Sequence, residues 1–279
     1  MVDCGEGTQG KVRSMHMNFS KLYAIFISHI HGDHVLGLMG MLSTFGLQGR
    51  TAPLHVYAPE GYQALFEHEK EVFLATMDYD IIFHPVDTTK QQVIYEDRSL
   101  TVETIPLKHR MPCAGFLFKE KAGLRHIKPE ALKVYDIPLS QADNLRNGLD
   151  WIAPDSTVVE NAKLTTDPDP VRAYAYCSDT CYLPKLGETL RALCNNERNS
   201  WALTLYHEAT YCEDMKDKAK KYLHSTAREA AMVAKDAQAK ELVLGHFSQR
   251  YLDETPLLKE AKEMFENTRL ATEGKAIKL

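Results

Sequence analysis

The chain has 279 residues, 44% hydrophobic and 25% charged, with a formal net charge of −5. One α/β domain can hold a chain of this size. No apolar run approaches a membrane span, no signal peptide is read ahead of the first motif, and the acidic balance argues against an unspecific nucleic-acid binder. An RNA enzyme with a locally basic surface and cations in its site stays within these bounds.

In chain order, Asp3-Cys4-Gly5-Glu6-Gly7-Thr8-Gln9 reads as a turn. Asp3 fits equally as a turn cap or as the acceptor that orients a nearby histidine. Lys11, Arg13 and Lys21 follow as scattered surface charges. The apolar run from Leu22 to Ser28 reads as a buried strand, and the run from Val35 to Leu42 as a helix packed through glycines. Between them lies His29-x-His31-x-Asp33-His34, on a strand-to-helix turn. Four potential ligands in six residues of a tight turn cannot all reach one ion. They can serve two neighbouring ions, His29 and His31 on one, Asp33 and His34 on the other. Imidazole and carboxylate without thiolate suit Zn²⁺ or Mn²⁺ in a hydrolytic site.

Residues 54–58 read as a strand, 59–76 as a helix, and 80–86, 92–96 and 100–107 as further strands. His68 reads as a solvated helix residue, and His55 and His84 as structural residues inside strands. Lys108-His109-Arg110 closes the last of these strands, with Arg110 a candidate phosphate contact. The stretch 119–170 is the least regular and reads as an inserted arm in a single domain spanning 1–279; insertions of this length are usually functional or mobile. It mixes basic residues with acids such as Glu130, Asp136, Asp143 and Asp150. A strand over 173–178 ends at Asp179. Helices are read over 184–195, 214–223, 227–239 and 255–266, and strands over 202–206, 241–245 and 269–272. Thr226-x-x-Glu229 is a capping box for the helix from Ala227. The six cysteines (4, 113, 177, 181, 194 and 212) form no pair of metal-binding pairs and read as free thiols of a reducing cytosol.

The His-x-His-x-Asp-His word resembles the metallo-β-lactamase superfamily. Asp3-Cys-Gly-Glu-Gly-Thr-Gln9 before it and Gly37-Leu-Met-Gly-Met-Leu42 after it look like ribonuclease Z, which trims the 3′ end of precursor tRNA. The resemblance continues through Pro112-Cys-Ala-Gly-Phe116, Ser178-Asp-Thr180, His207-Glu-Ala-Thr210, His224-Ser-Thr226 and His246-Phe-Ser248 with Arg250-Tyr251. It implies a metallo-β-lactamase fold, an αββα sandwich of two mixed sheets flanked by helices. Family members normally carry an earlier N-terminal hairpin, which the resemblance leads us to expect to be missing here.

The same resemblance implies the site. His29, His31 and His109 would hold one divalent ion; Asp33, His34 and His246 would hold the other; Asp179 would bridge them. Zn²⁺ is the implied metal, with Mn²⁺ the other candidate. Asp33 would also act as base, and Glu208 with His224 would deliver a proton to the leaving ribose oxygen. The implied substrate is precursor tRNA, clasped by the arm, and the implied assembly is a cytoplasmic homodimer. In the arm, Leu139-Ser-Gln141 stands where the family often has a Gly-Pro word. Two other readings compete: a hydrolase of the same superfamily acting on small phosphodiesters, and a truncated paralogue without turnover.

Overall fold

The computed structural model describes residues 1–195 and 200–278. Its first half runs α1 (Thr8–Ser14), β1 (Ala24–Phe26), α2 (Gly32–Val35), α3 (Leu38–Leu47), β2 (Leu54–Pro59), α4 (Gln63–Phe73) and β3 (Ile81–Val86). β1, β2 and β3 pair in that order, all parallel. A single bridge adds Val2 beside Phe26.

The second sheet begins with β4 (Val93–Glu96), β5 (Leu100–Pro106) and β6 (Ala114–Glu120). The segment that follows carries β7 (His126–Ile127), α5 (Pro129–Val134), α6 (Ala142–Arg146), β8 (Trp151–Ile152), β9 (Val158–Val159), α7 (Asn161–Leu164) and β10 (Thr165–Thr166). The chain then returns through β11 (Arg172–Cys177), α8 (Leu186–Leu193), β12 (Ala202–Glu208), α9 (Lys216–Tyr222), α10 (Ala227–Asp236), β13 (Glu241–Gly245), α11 (Thr255–Lys262) and β14 (Thr268–Leu270). The seven-stranded sheet has the order β14-β13-β12-β11-β6-β5-β4. It is parallel from β11 to β14 and antiparallel from β4 to β11.

Period-two alternation stacks the layers. On one face of the small sheet Ile25, Ile27, Leu54, Val56 and Ala58 pack with Leu38, Met41, Leu42, Phe45 and Phe66 of α3 and α4. Ala24, Phe26 and Tyr57 alternate with them and meet Val102 and Phe116 of the large sheet. The far face of that sheet (Ile105, Leu117, Ala175, Leu203, Leu205) is covered by α8, α10 and α11 through Leu186, Leu190, Ala230, Val233 and Leu257. The result is helix, sheet, sheet, helix. Among the described residues no helix is long and apolar enough to cross a membrane.

Three parts of the fold go beyond the sequence reading: helix α1 (Thr8–Ser14), which starts within the stretch read as a turn, and two later segments. β6 lies where only the word around Pro112 was recognised. The segment after β6 is built on a small core of its own, Ala131, Ile137, Leu145, Val159 and Leu164. The Asn161 amide secures it by donating to the Leu145 and Leu149 carbonyls, both at 2.8 Å. Elements of two to six residues are too short to leave a periodic signal.

Candidate metal centre

The C-terminal ends of four strands, and the loop after a fifth, deliver the chemistry-bearing residues to one edge. Ser28 and His29 follow β1, His109 follows β5, Asp179 follows β11, Glu208 ends β12 and His246 follows β13. α2 starts within the His-x-His-x-Asp-His turn and carries Asp33 and His34. The Asp3–Gln9 word folds back on this turn: Cys4 N–H donates to the His34 carbonyl at 2.8 Å and Gly37 N–H to the Cys4 carbonyl at 2.9 Å. A Cβ on Gly37 would run into the Gly5 carbonyl, and one on Gly5 into that of Asp33, so only glycine permits this approach.

Asp179 stands at the centre, 3% exposed, with its two oxygens facing different groups. Oδ2 lies 3.7 Å from His29 Nε2 and 3.6 Å from His109 Nε2. Oδ1 lies 3.5 Å from His34 Nε2 and 3.1 Å from His246 Nε2. Asp33 Oδ2 closes the second group, 3.5 Å from His34 Nε2 and 3.8 Å from His246 Nε2. His31 Nδ1 joins the first group, 3.0 Å from His29 Nε2. All seven residues expected in the site are thus brought together, as one set of His29, His31, His109 and Asp179 beside another of Asp33, His34 and His246.

This arrangement fits divalent ions. Most of these separations are too long for hydrogen bonds. Two donors at 2.0–2.2 Å from one tetrahedral ion stand roughly 3.3–3.6 Å apart, and the separations here, 3.0–3.8 Å, bracket that value. His34 Nε2 is buried without a hydrogen-bond partner, an acceptor aimed into the cluster.

On His29, His34, His109 and His246 the outer nitrogen is occupied, which fixes these four rings and directs their inner nitrogens at the cluster. His34 Nδ1 donates to Asp3 Oδ2 at 2.8 Å, and His109 Nδ1 to the Leu223 carbonyl at 2.9 Å. His29 Nδ1 meets Ser28 Oγ at 3.0 Å, and His246 Nδ1 meets Thr210 Oγ1 at 3.1 Å. Asp3 also accepts from Ser28 N–H at 2.7 Å and from the Tyr176 hydroxyl at 3.0 Å. Of its two sequence readings, the structure realises the one in which it orients a histidine. Asp3, Leu223 and His246 all have left-handed backbone, with φ of 54°, 58° and 57°. Non-glycine residues adopt it at a cost of about 1–3 kcal/mol, which the surroundings must hold in place.

Electrostatics divide the imidazoles. Burial pushes His29 down to about 3, with His34 adding to the effect, and burial also lowers His109. Burial opposes charge on His246 too, but the Asp33 hydrogen bond and the Asp179 charge raise it to about 9. Burial likewise opposes the Asp179 carboxylate, yet His246, His34 and His29 hold it below the usual range. Burial disfavours charge on His34 as well, but the Asp3 hydrogen bond and the nearby carboxylates raise it. Ionised carboxylates thus stand beside two imidazoles kept neutral (His29, His109) and two that favour the charged form (His34, His246), whose protons a bound cation would displace.

Glu208 and His224 lie beside it. Glu208, fully buried, has Oε1 2.8 Å from His224 Nδ1. It also accepts from Thr180 N–H at 2.9 Å, and from Thr210 N–H at 3.1 Å and hydroxyl at 2.6 Å. Although burial disfavours its charge, the hydrogen bond from His224 lowers its pKa. The Thr226–Glu229 capping box is present and starts α10 just beyond His224. An open cleft exposes the cluster, lined by His31, Asp33, His109, Asp179, His224 and His246, and by Arg110, Tyr211, Lys218, Tyr222 and Arg250.

Sequence reasoning missed Thr210 as the hub joining Glu208, His224 and His246. Its place in His-Glu-Ala-Thr was the only signal. His55 and His84, read as structural residues inside strands, face each other at 2.8 Å, because β2 and β3 are neighbours.

Comparison with known proteins agrees with this geometry. A family model described as "Anti-Pycsar protein Apyc1" matches residues 1–125. The chain is 48% identical to "Ribonuclease Z" of Bacteroides fragilis (strain YCH46), over 100% of this chain and 89% of that one. It is 44% identical to "Ribonuclease Z" of Bacteroides thetaiotaomicron, over 99% and 85%. Among solved structures, the short form of human tRNase Z (ELAC1) superposes with a TM-score of 0.65 at 25% identity, covering 99% of this chain and 86% of that one. The metallo-beta-lactamase fold protein YhfI from Bacillus subtilis shares the fold, with a TM-score of 0.63 at 18% identity over 98% and 84%. With full-length identity at this level on a metallo-β-lactamase fold, the chain belongs to the ribonuclease Z family.

Proposed function

We propose that this protein is a metal-dependent endoribonuclease that cuts precursor tRNA on its 3′ side, leaving a 3′-hydroxyl and a 5′-phosphorylated trailer. The observation that carries the reading is the buried Glu208–His224 pair, 2.8 Å apart, placed against a two-sided His/Asp cluster in one cleft. His29, His31, His109 and Asp179 would hold one divalent ion, and Asp33, His34, His246 and Asp179 the other. The donor chemistry favours Zn²⁺, with Mn²⁺ also accommodated. When bound, such a pair supplies Lewis acidity that lowers the pKa of a water and offsets charge on the transferring phosphoryl group.

This chain's residues do the proton work. Asp33, its side chain 67% exposed at the cleft, accepts the proton of the attacking water. Oxygen adds at phosphorus and the bond to the ribose 3′ oxygen breaks. His224 has Nδ1 engaged by Glu208, which leaves Nε2 to donate a proton to that departing oxygen. Glu208 stabilises the imidazolium that donates it.

The reading extends to a cytoplasmic homodimer with residues 119–170 as an RNA-clasping arm within a single domain. Six unpaired cysteines support the reducing compartment. The arm, however, holds seven Lys/Arg against nine Asp/Glu over 119–170, so the segment as a whole offers no net attraction to phosphate. That charge favours the second reading, a small-phosphodiester hydrolase.

His224→Ala tests the assignment: it should keep its metal content by elemental analysis while losing about 10²–10⁴ in turnover of precursor tRNA. Unchanged turnover would reject the role of His224. A wild-type chain that hydrolyses a chromogenic small diester but leaves precursor tRNA intact would favour the second reading.

A further inference from the structure

The cleft has a feature that the catalytic residues do not use. Arg110, next to His109, holds its guanidinium carbon 4.7 Å from the centre of the Tyr222 ring. Lys218 lies one helical turn before Tyr222 on α9 and lines the same cleft. Neither Arg110 nor Lys218 has a carboxylate partner among the described residues. Both cations line the open cleft that holds Asp33 and Asp179, so their positive charge is available there to an anion from outside.

The wall is fixed to the catalytic parts. The His109–Leu223 hydrogen bond ties the loop carrying Arg110 to the end of α9, one residue past Tyr222. His224 follows directly, its ring 4.9 Å from that of His109. A guanidinium held against an aromatic ring keeps its N–H edge for a bidentate contact with phosphate oxygens. Elsewhere in the cleft, Arg250 sits 5.6 Å from the Tyr211 ring, so cations are not confined to the Arg110 wall.

We propose that Arg110, presented by Tyr222 and joined by Lys218, forms a phosphate subsite for a phosphodiester next to the scissile one. The subsite thereby selects a polynucleotide over a small diester. This rests on the RNA reading of the cleft. Tyr222 is a positioning residue, acting through Arg110.

The test is steady-state kinetics of the metal-loaded full chain on precursor tRNA and on bis(p-nitrophenyl) phosphate, over a salt series. Arg110→Ala should raise KM for precursor tRNA about tenfold with kcat changed less than about threefold. It should flatten the log–log salt slope of kcat/KM by about 1. The loss on RNA should exceed the loss on the small diester at least about fivefold. Tyr222→Phe should retain wild-type KM, and Tyr222→Ala should move toward Arg110→Ala. The proposal is overturned if Arg110→Ala keeps the wild-type KM and salt slope, or loses equally on both substrates. Those outcomes are read against a wild type that cleaves precursor tRNA; a wild type active only on the small diester removes the RNA reading itself, and this subsite with it.

Discussion

Asp3 shows how much of the site depends on single side chains. Its carboxylate holds His34, Ser28 and Tyr176 at once, at 2.7–3.0 Å. Asp3→Asn retains the shape but turns one acceptor oxygen into a donor facing the His34 Nδ1–H. Metal affinity, read by competition with a chromophoric chelator, should fall about 10–100-fold while the fold persists. Wild-type affinity would mean that Asp3 only caps a turn. The ligand turn was legible because four donors stand within six residues. His109, Asp179 and His246 carry no local pattern; family words alone single them out. Thr210 and the His55–His84 contact were illegible because packing between distant strands sets their partners.

Among the elements, the glycine at position 37 explains why the turn can sit where it does. The sequence reading of a helix packed through glycines identified the close approach but not its partner, the Gly5 carbonyl of the preceding word. Gly37→Ala must push these segments apart. It should cost about 2 kcal/mol or more, lowering the melting temperature by roughly 4–8 °C, and weaken metal binding with it. A melting temperature within a degree of wild type would show that the contact can relax. The long strands and amphipathic helices were readable from periodicity to within a few residues. Helix α4 begins at Gln63 rather than Pro59, after a tight turn over 60–62. The short strands and helices of 121–171 were not readable, since their stability comes from a shared core rather than from local pattern.

For the whole molecule, the two sheets meet through Phe26, Tyr57 and Phe116, and again at the metal centre. The first half of the chain supplies His29, His31, Asp33 and His34; the large sheet and its loops supply His109, Asp179 and His246. Ions held there would cross-link the layers, so chelator treatment should lower the melting temperature by several degrees, reversibly on readdition. The thiols report the same packing from another side. Burial pushes Cys4, Cys113 and Cys177 up to about 12, and Cys194 up to about 11. Thiolate is scarce well below the pKa, so iodoacetamide at pH 8 should label the folded protein at the half-exposed Cys181 and Cys212 and spare the other four. Mass spectrometry finding early label on Cys177 would contradict the packing of β11 against the helices.

The most direct measurement is the zinc or manganese content of the reconstituted chain and of its Asp179→Ala variant by elemental analysis after gel filtration. Two ions per chain, falling to one or none when Asp179 is removed, is the predicted result. No retained metal in the wild type, or an unaltered pair in the variant, would contradict a carboxylate shared between two cations.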